Sequence, residues 1–175
     1  MKKRLFTLTL FAFLFIICSS CNGKKVQPQK RITLTGKVIH IADGDTYDLL
    51  TADKKTIRVR MDGIDAPERS MAFFKVSKNF LGELCMNKTL KVVKTDTDQY
   101  GRIVAFSYLE NGKELGHEMV KAGMAWHFKK YNTDNDLAKL ENEARKAKRG
   151  LWIDPKPVPP WEYRKLKKQN MKKKY

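Results

Sequence analysis

The stretch Thr56-Ile57-Arg58-Val59-Arg60-Met61-Asp62-Gly63-Ile64-Asp65-Ala66-Pro67-Glu68 decides how this chain is organised. Ile57, Val59 and Met61 share one face of its first half, and Arg58, Arg60 and Asp62 share the other. Alternation with a single apolar face is the pattern of a half-buried strand. Pro67 ends the extended run, and an apolar stripe of Phe73, Val76, Phe80, Leu81, Leu84 and Cys85 predicts a helix from about Ser70 to Met86. Upstream, Arg31 to Ile41 and Thr46 to Thr51 read as strands, with Asp43-Gly44-Asp45 and Ala52-Asp53-Lys54-Lys55 as turns. Downstream, Leu90 to Thr95 and Arg102 to Leu109 read as two more strands, and Glu110-Asn111-Gly112 as a turn. A short helix is expected from about Leu115 to Ala122, stopped by Gly123. An amphipathic helix follows from Asn135 to Lys148, with Leu137, Leu140 and Ala144 inward and Gly150 at its end. Pro155 to Pro160 is too proline-rich to be regular, and the Lys-rich end to Tyr175 reads as flexible. Three strands, a helix, two strands and then helices form an α+β pattern. Five short strands broken by a helix fit a small five-stranded OB-type Greek-key β-barrel with about three α-helices.

The 175 residues suffice for one domain with a real core. The formal net charge is +17, and the segment from Pro155 onward holds eight basic residues against one acidic. The part between leader and tail is basic in its own right. Such a balance suits a polyanion such as nucleic acid or anionic lipid, although a merely soluble basic surface has the same sign. The expected divisions are a signal peptide (1–20), a polar tether (21–30), a folded domain (31–154) and a Pro/Lys-rich basic tail (155–175).

Lys2, Lys3 and Arg4 precede an apolar run from Leu5 to Cys18, which is too short to span a bilayer and fits a secretory signal peptide. Ser19-Ser20-Cys21 is similar to the bacterial lipobox, in which that cysteine becomes the lipidated first residue. Cys18 departs from the usual leucine at its position. Lipidation at Cys21 would anchor an exported protein to a membrane of the cell envelope, with Asn22 to Lys30 as spacer; plain secretion is the alternative. Cys85 lies in the apolar helical pattern and reads as a small buried hydrophobe. His40, His117 and His127 lack zinc-ligand spacing and read as structural or surface residues.

Three islands carry chemistry: Asp43-Gly44-Asp45-Thr46, Arg60 to Glu68, and Asp98-Gln99-Tyr100-Gly101-Arg102. Singly, each has a plain reading as a hairpin turn, a helix cap or a loop. Together, in this order and spacing, they resemble the staphylococcal nuclease (thermonuclease) family from about Thr35 to Trp152, with Gly123-Met124-Ala125-Trp126 and Gly150-Leu151-Trp152 also in keeping. The resemblance implies a calcium-dependent phosphodiesterase that cuts DNA and RNA by water attack on phosphorus and leaves 3′-phosphate ends. It implies Ca2+ held by Asp45, Asp65 and the backbone carbonyl of Ala66, with Asp43 orienting ligands or water behind them. It implies Glu68 as general base, and Arg60 and Arg102 as the arginines that stabilise charge on the phosphate. The chemistry agrees: oxygen ligands suit a hard cation, and guanidinium forks suit phosphate oxygens. Two carboxylates make a sparse and therefore weak metal site.

Tyr100 and Tyr131 are candidate substrate contacts through base stacking, or else half-buried structural tyrosines. Gln99 stands where the family's type member has a lysine, and the insertion that follows the glutamate there is missing here, so the details of nucleotide binding differ. A monomer is expected. Two other classes compete with this reading. One is a non-catalytic OB-fold nucleic-acid-binding envelope lipoprotein, which would not need Asp45, Asp65, Glu68, Arg60 and Arg102 together. The other is a structural envelope protein whose basic tail grips anionic lipid, which leaves those islands unexplained.

Overall fold

A computed structural model describes residues 32–173. The signal peptide, Cys21 and the whole of the spacer lie outside the described residues. The chain forms strands β1 (Thr33–Ile41), β2 (Thr46–Thr51), β3 (Thr56–Met61) and β4 (Ile64–Asp65), then helix α1 (Phe74–Cys85). Strands β5 (Thr89–Thr97) and β6 (Ile103–Tyr108), helix α2 (Leu115–Lys121), strand β7 (Trp126–His127) and helix α3 (Asn135–Lys146) follow. A 3₁₀ turn over Gly150–Ile153 and helix α4 (Pro160–Lys172) complete it.

The expected five-stranded α+β barrel is present: β1-β2-β3-β6-β5 close into one barrel, all neighbours antiparallel except β3 and β6. The alternation that predicts β3 is realised, with Val59 and Met61 inside and Arg58 facing solvent. Val38, Leu49, Val59, Met61, Leu90, Val92 and Ala105 fill the core. Tyr47 is also fully buried, and its hydroxyl is satisfied by Ser107 Oγ at 2.7 Å. This is the arrangement a buried phenol needs, because an unpaired one costs about 1–3 kcal/mol.

Three expectations require correction. First, α1 begins at Phe74 rather than near Ser70, because Phe73 adopts φ 62, a left-handed conformation that no helix interior accommodates. Met71 and Phe73 turn aside onto a second apolar cluster, formed by Trp126, Ala144, Leu151 and Trp152. Glu68 is consequently followed by a short turn, with the Met71 N–H on the Glu68 carbonyl at 2.7 Å, and not directly by the helix. Val76, expected inward, is exposed, and the buried positions of α1 are Ser77, Leu81 and Cys85. Second, the described residues form four α-helices, one beyond the three or so expected. The Lys-rich end is helical: Pro160 opens α4 at the first helical position, where the missing proline N–H is no loss. Third, two short strands lie outside the expected five: β4 and β7 form a separate two-stranded ladder, pairing Ile64 with His127 and Asp65 with Trp126.

Cys85 is fully buried, donates to the Leu81 carbonyl, and has its thiol pushed up to about 12 by burial, so it is a packing residue. The two glycine-containing segments near the C-terminal half meet each other. The Leu151 N–H donates to the Gly123 carbonyl at 2.8 Å, and a Cβ on Gly123 would lie 2.2 Å from the Arg149 carbonyl oxygen. Gly123 also has φ +71, so a side chain there is excluded by both conformation and space. This contact sets the Trp152 ring edge-on to Trp126, 5.5 Å between centroids, behind the β4–β7 ladder.

Candidate active site

Five of the residues singled out in the sequence converge at the end of β3. The Asp43-Gly44-Asp45 turn leaves β1 and packs so tightly on α1 that a Cβ on Gly44 would lie 1.9 Å from Ser77 Oγ. Only glycine fits this approach. The turn is tied internally by the Asp45 N–H donating to Asp43 Oδ1 at 3.0 Å. The buried Asp45 carboxylate then accepts from Thr46 Oγ1 at 2.8 Å and from the Ala66 N–H at 2.7 Å. That second bond joins the first island to the second. Asp65 is buried on β4, its backbone held by the ladder to Trp126.

Arg60 lies between the two carboxylates, with 14 % of its side chain exposed. Its Nε is 3.2 Å from Asp45 Oδ1, and its Nη2 donates to Asp65 Oδ1 at 3.1 Å. Its Nη1 donates to the Met61 and Ile64 carbonyls at 2.7 and 2.9 Å. Arg60 therefore fixes the spacing of Asp45 and Asp65. Burial and the neighbouring Asp45 push the Asp43 carboxyl up to about 7. Burial also raises that of Asp65, against the pull of its arginine partners. The pocket concentrates more negative charge than its interior arginine neutralises.

The third island is set apart. The Arg102 Nε donates to Asp98 Oδ2 at 2.6 Å, its guanidinium sits 5.5 Å from the Tyr100 ring, and the Asp98 carboxyl, despite its desolvation, is held low by these bonds. Among the described residues, no hydrogen bond or ion pair links Arg102 to the carboxylate cluster. Its Nη edge has no protein acceptor there and is available to a ligand. Strand β6 continues from Arg102 beside β3, with Val104 opposite Arg60, so both arginines serve the same end of the barrel.

Tyr100 and Tyr131 are 75 % and 69 % exposed, which removes the half-buried alternative for both. Tyr131 stands edge-on to Phe128 with Lys130 over its ring, bordering a groove of about 560 Å³ that includes Phe128, Trp161 and Arg164. His40 and His117 bond to Asp48 and Asp134, and His127 bonds to Asn132.

One residue was not singled out in the sequence. Arg164 of α4 places Nη2 2.7 Å from Asp65 Oδ2, and Nη1 3.2 Å from Asp65 Oδ1 and 2.7 Å from Glu68 Oε1. The Lys-rich end, expected to be flexible, thus reaches the site through Arg164. The available signal was Arg164 itself, the one arginine in a lysine-rich run, three residues after Trp161 and hence on the same helix face.

The donor set is consistent with a hard divalent cation. Asp45 and Asp65 offer carboxylate oxygens on either side of Arg60, and the Ala66 peptide lies against Asp45. Among the described residues, no group of three or more His, Cys, Asp or Glu side chains forms a ready cage. A sparse site completed by solvent and phosphate is the kind these residues can build.

The sequence profile of the staphylococcal nuclease homologue family matches residues 58–154. An "Uncharacterized endonuclease" of Escherichia coli is 42 % identical over 132 residues, covering 75 % of this chain and 86 % of that protein. A protein of the same description from Haemophilus influenzae is 36 % identical over 171 residues, 98 % of this chain and 91 % of its own length. A "Micrococcal nuclease" of Shigella flexneri is 36 % identical over 143 residues, covering 76 % and 82 %.

Proposed function

Since this chain belongs to the staphylococcal nuclease homologue family, we propose that it is a calcium-dependent nuclease that hydrolyses phosphodiester bonds of DNA and RNA. The observation that carries this reading is the convergence of Asp43, Asp45, Arg60, Asp65 and Glu68 from separated segments into one acidic pocket around Arg60, with Asp45 and Asp65 buried and Glu68 at its mouth. A binding module needs exposed aromatic and basic groups and gains nothing from burying Asp45 and Asp65 around one arginine, which disfavours the non-catalytic alternative.

In this reading Asp45, Asp65 and the Ala66 carbonyl hold Ca2+, which as a Lewis acid would lower the cost of added charge on the phosphate. Asp43 supports Asp45 through the turn that joins them. Glu68 has 40 % of its side chain exposed at the mouth of the pocket and takes the proton of the attacking water. The Arg60 positive charge, beside both carboxylates, offsets negative charge that grows on the phosphate, and the open Nη edge of Arg102 forks onto its oxygens. Tyr100 and Tyr131 offer faces for stacking bases, and the exposed lysines of α4, among them Lys165, Lys167 and Lys168, extend the electrostatic footprint.

The test is digestion of labelled DNA and RNA with calcium, with excess chelator, and across a salt series. Cleavage requires calcium, leaves 3′-phosphate ends, and slows with rising salt at subsaturating substrate. Cleavage undiminished by chelator excludes the calcium assignment, and no cleavage of either polymer leaves the binding-module reading. The leader adds a separate expectation, that the exported protein is anchored through an acylated Cys21; mass spectrometry that finds an unmodified, soluble N-terminus refutes it.

A further inference from the structure

Arg164 joins a half-exposed helix to a buried acidic site. Its two Nη atoms span both oxygens of Asp65, and one of them also reaches Glu68, so one guanidinium covers a proposed metal ligand and the proposed base. Burial works against this charge, yet the bonds to Asp65 and Glu68 outweigh it and hold the guanidinium protonated. The anchoring is specific. Trp161, three residues earlier on α4, stacks on Phe128 at 5.3 Å with an interplanar angle of 8°. Phe128 follows β7, and its N–H bonds to the Gly63 carbonyl at 2.8 Å, just before β4 and Asp65. The structure that fixes Asp65 thus also fixes the helix that covers it.

We propose that Arg164 is a resident counter-cation of this site, which a divalent cation must displace from Asp65 and Glu68 in order to bind. This rests on the calcium reading above. A calcium ion needs carboxylate oxygens at about 2.3–2.6 Å, and Arg164 uses both oxygens of Asp65. A guanidinium and a dication on the same oxygens repel each other. Arg60 is not the group that yields, because only 14 % of its side chain is exposed and it is held by two carboxylates and two backbone carbonyls, whereas 44 % of the Arg164 side chain is exposed. Once released, Arg164 remains at the pocket mouth, where a phosphodiester is the partner its planar fork suits. Nucleic acid that holds Arg164 off Asp65 therefore favours cation binding, and by reciprocity bound cation favours nucleic acid. Arg164 acts here as a positioning and gating residue through Asp65 and Glu68.

The experiment is calorimetric titration of the mature protein with calcium alone, without nucleic acid, for wild type, Arg164→Gln and Arg164→Lys, with thermal melts in chelator to verify folding. The glutamine variant binds calcium about 10- to 100-fold more tightly, the range expected on removing a charge-assisted competitor. The lysine variant falls between, since an ammonium keeps the charge but cannot span both oxygens and Glu68. Unchanged or weaker affinity in Arg164→Gln overturns the proposal. So does an Arg164→Lys that matches wild type while Arg164→Gln tightens, because net charge alone then accounts for the gain. Absence of calcium uptake by all three proteins removes the calcium assignment and this proposal together, whereas uptake indifferent to residue 164 removes the proposal alone.

Discussion

Replacing Glu68 with Gln lowers single-turnover cleavage by about 10²–10⁴-fold, the usual worth of a general base, while calcium and nucleotide binding are retained. The substitution keeps the shape of the side chain and an amide oxygen that can still accept from Arg164 Nη1, so the local geometry survives. It removes the one property the role requires, since an amide cannot take a proton from water. The position suits that property. Glu68 lies outside the buried carboxylates, and the turn through Met71 directs the chain after it away toward the tryptophan cluster. Single-turnover rates at saturating enzyme and calcium, with separate binding titrations, decide the matter. Near-wild-type turnover would make the base assignment untenable, and a loss confined to binding would make Glu68 a contact rather than a base.

The barrel was legible because its strands carry their own signature. In β3 an apolar residue alternates with an arginine, and that period is enough to place Arg60 at one end and aim it away from the core. The site was legible only in part. The junction of Asp45 with the second island depends on a bond from Asp45 Oδ2 to the Ala66 N–H, across 21 positions of sequence. The burial of Asp65 depends on β4, a strand of two residues that has no room for a period. Phe73 belonged by spacing to the stripe of α1, but the second cluster claimed it and moved the helix start. Arg164 was masked for another reason. A run of lysines is read as solvated charge, and nothing local says that one cation in it will meet two carboxylates. What holds it there is Trp161 on Phe128, a tertiary contact between segments more than thirty residues apart.

Asp45 should prove the least replaceable residue of the pocket, and the choice of substitution separates its two roles. Asp45→Ala removes the acceptor of the Ala66 N–H and of Thr46 Oγ1, and leaves Arg60 with one carboxylate fewer. Stranding buried donors in this way costs about 1–3 kcal/mol of stability, so lost activity in that variant has two explanations. Asp45→Asn retains an oxygen for the Ala66 N–H and most of the packing, but lacks the charge. With one of two carboxylates neutralised, calcium affinity falls on the order of 10²-fold or more, because affinity at oxygen sites follows the number of charged ligands. Calcium-dependent cleavage disappears at calcium concentrations that saturate the wild type, while the melting temperature stays much closer to wild type than that of the alanine variant. Calcium titration, cleavage and thermal melting of both variants provide the check. An Asp45→Asn protein that melts like wild type and cuts like wild type would show that the cation, if any, is held elsewhere, and the assignment of Asp65 and Ala66 would fall with it.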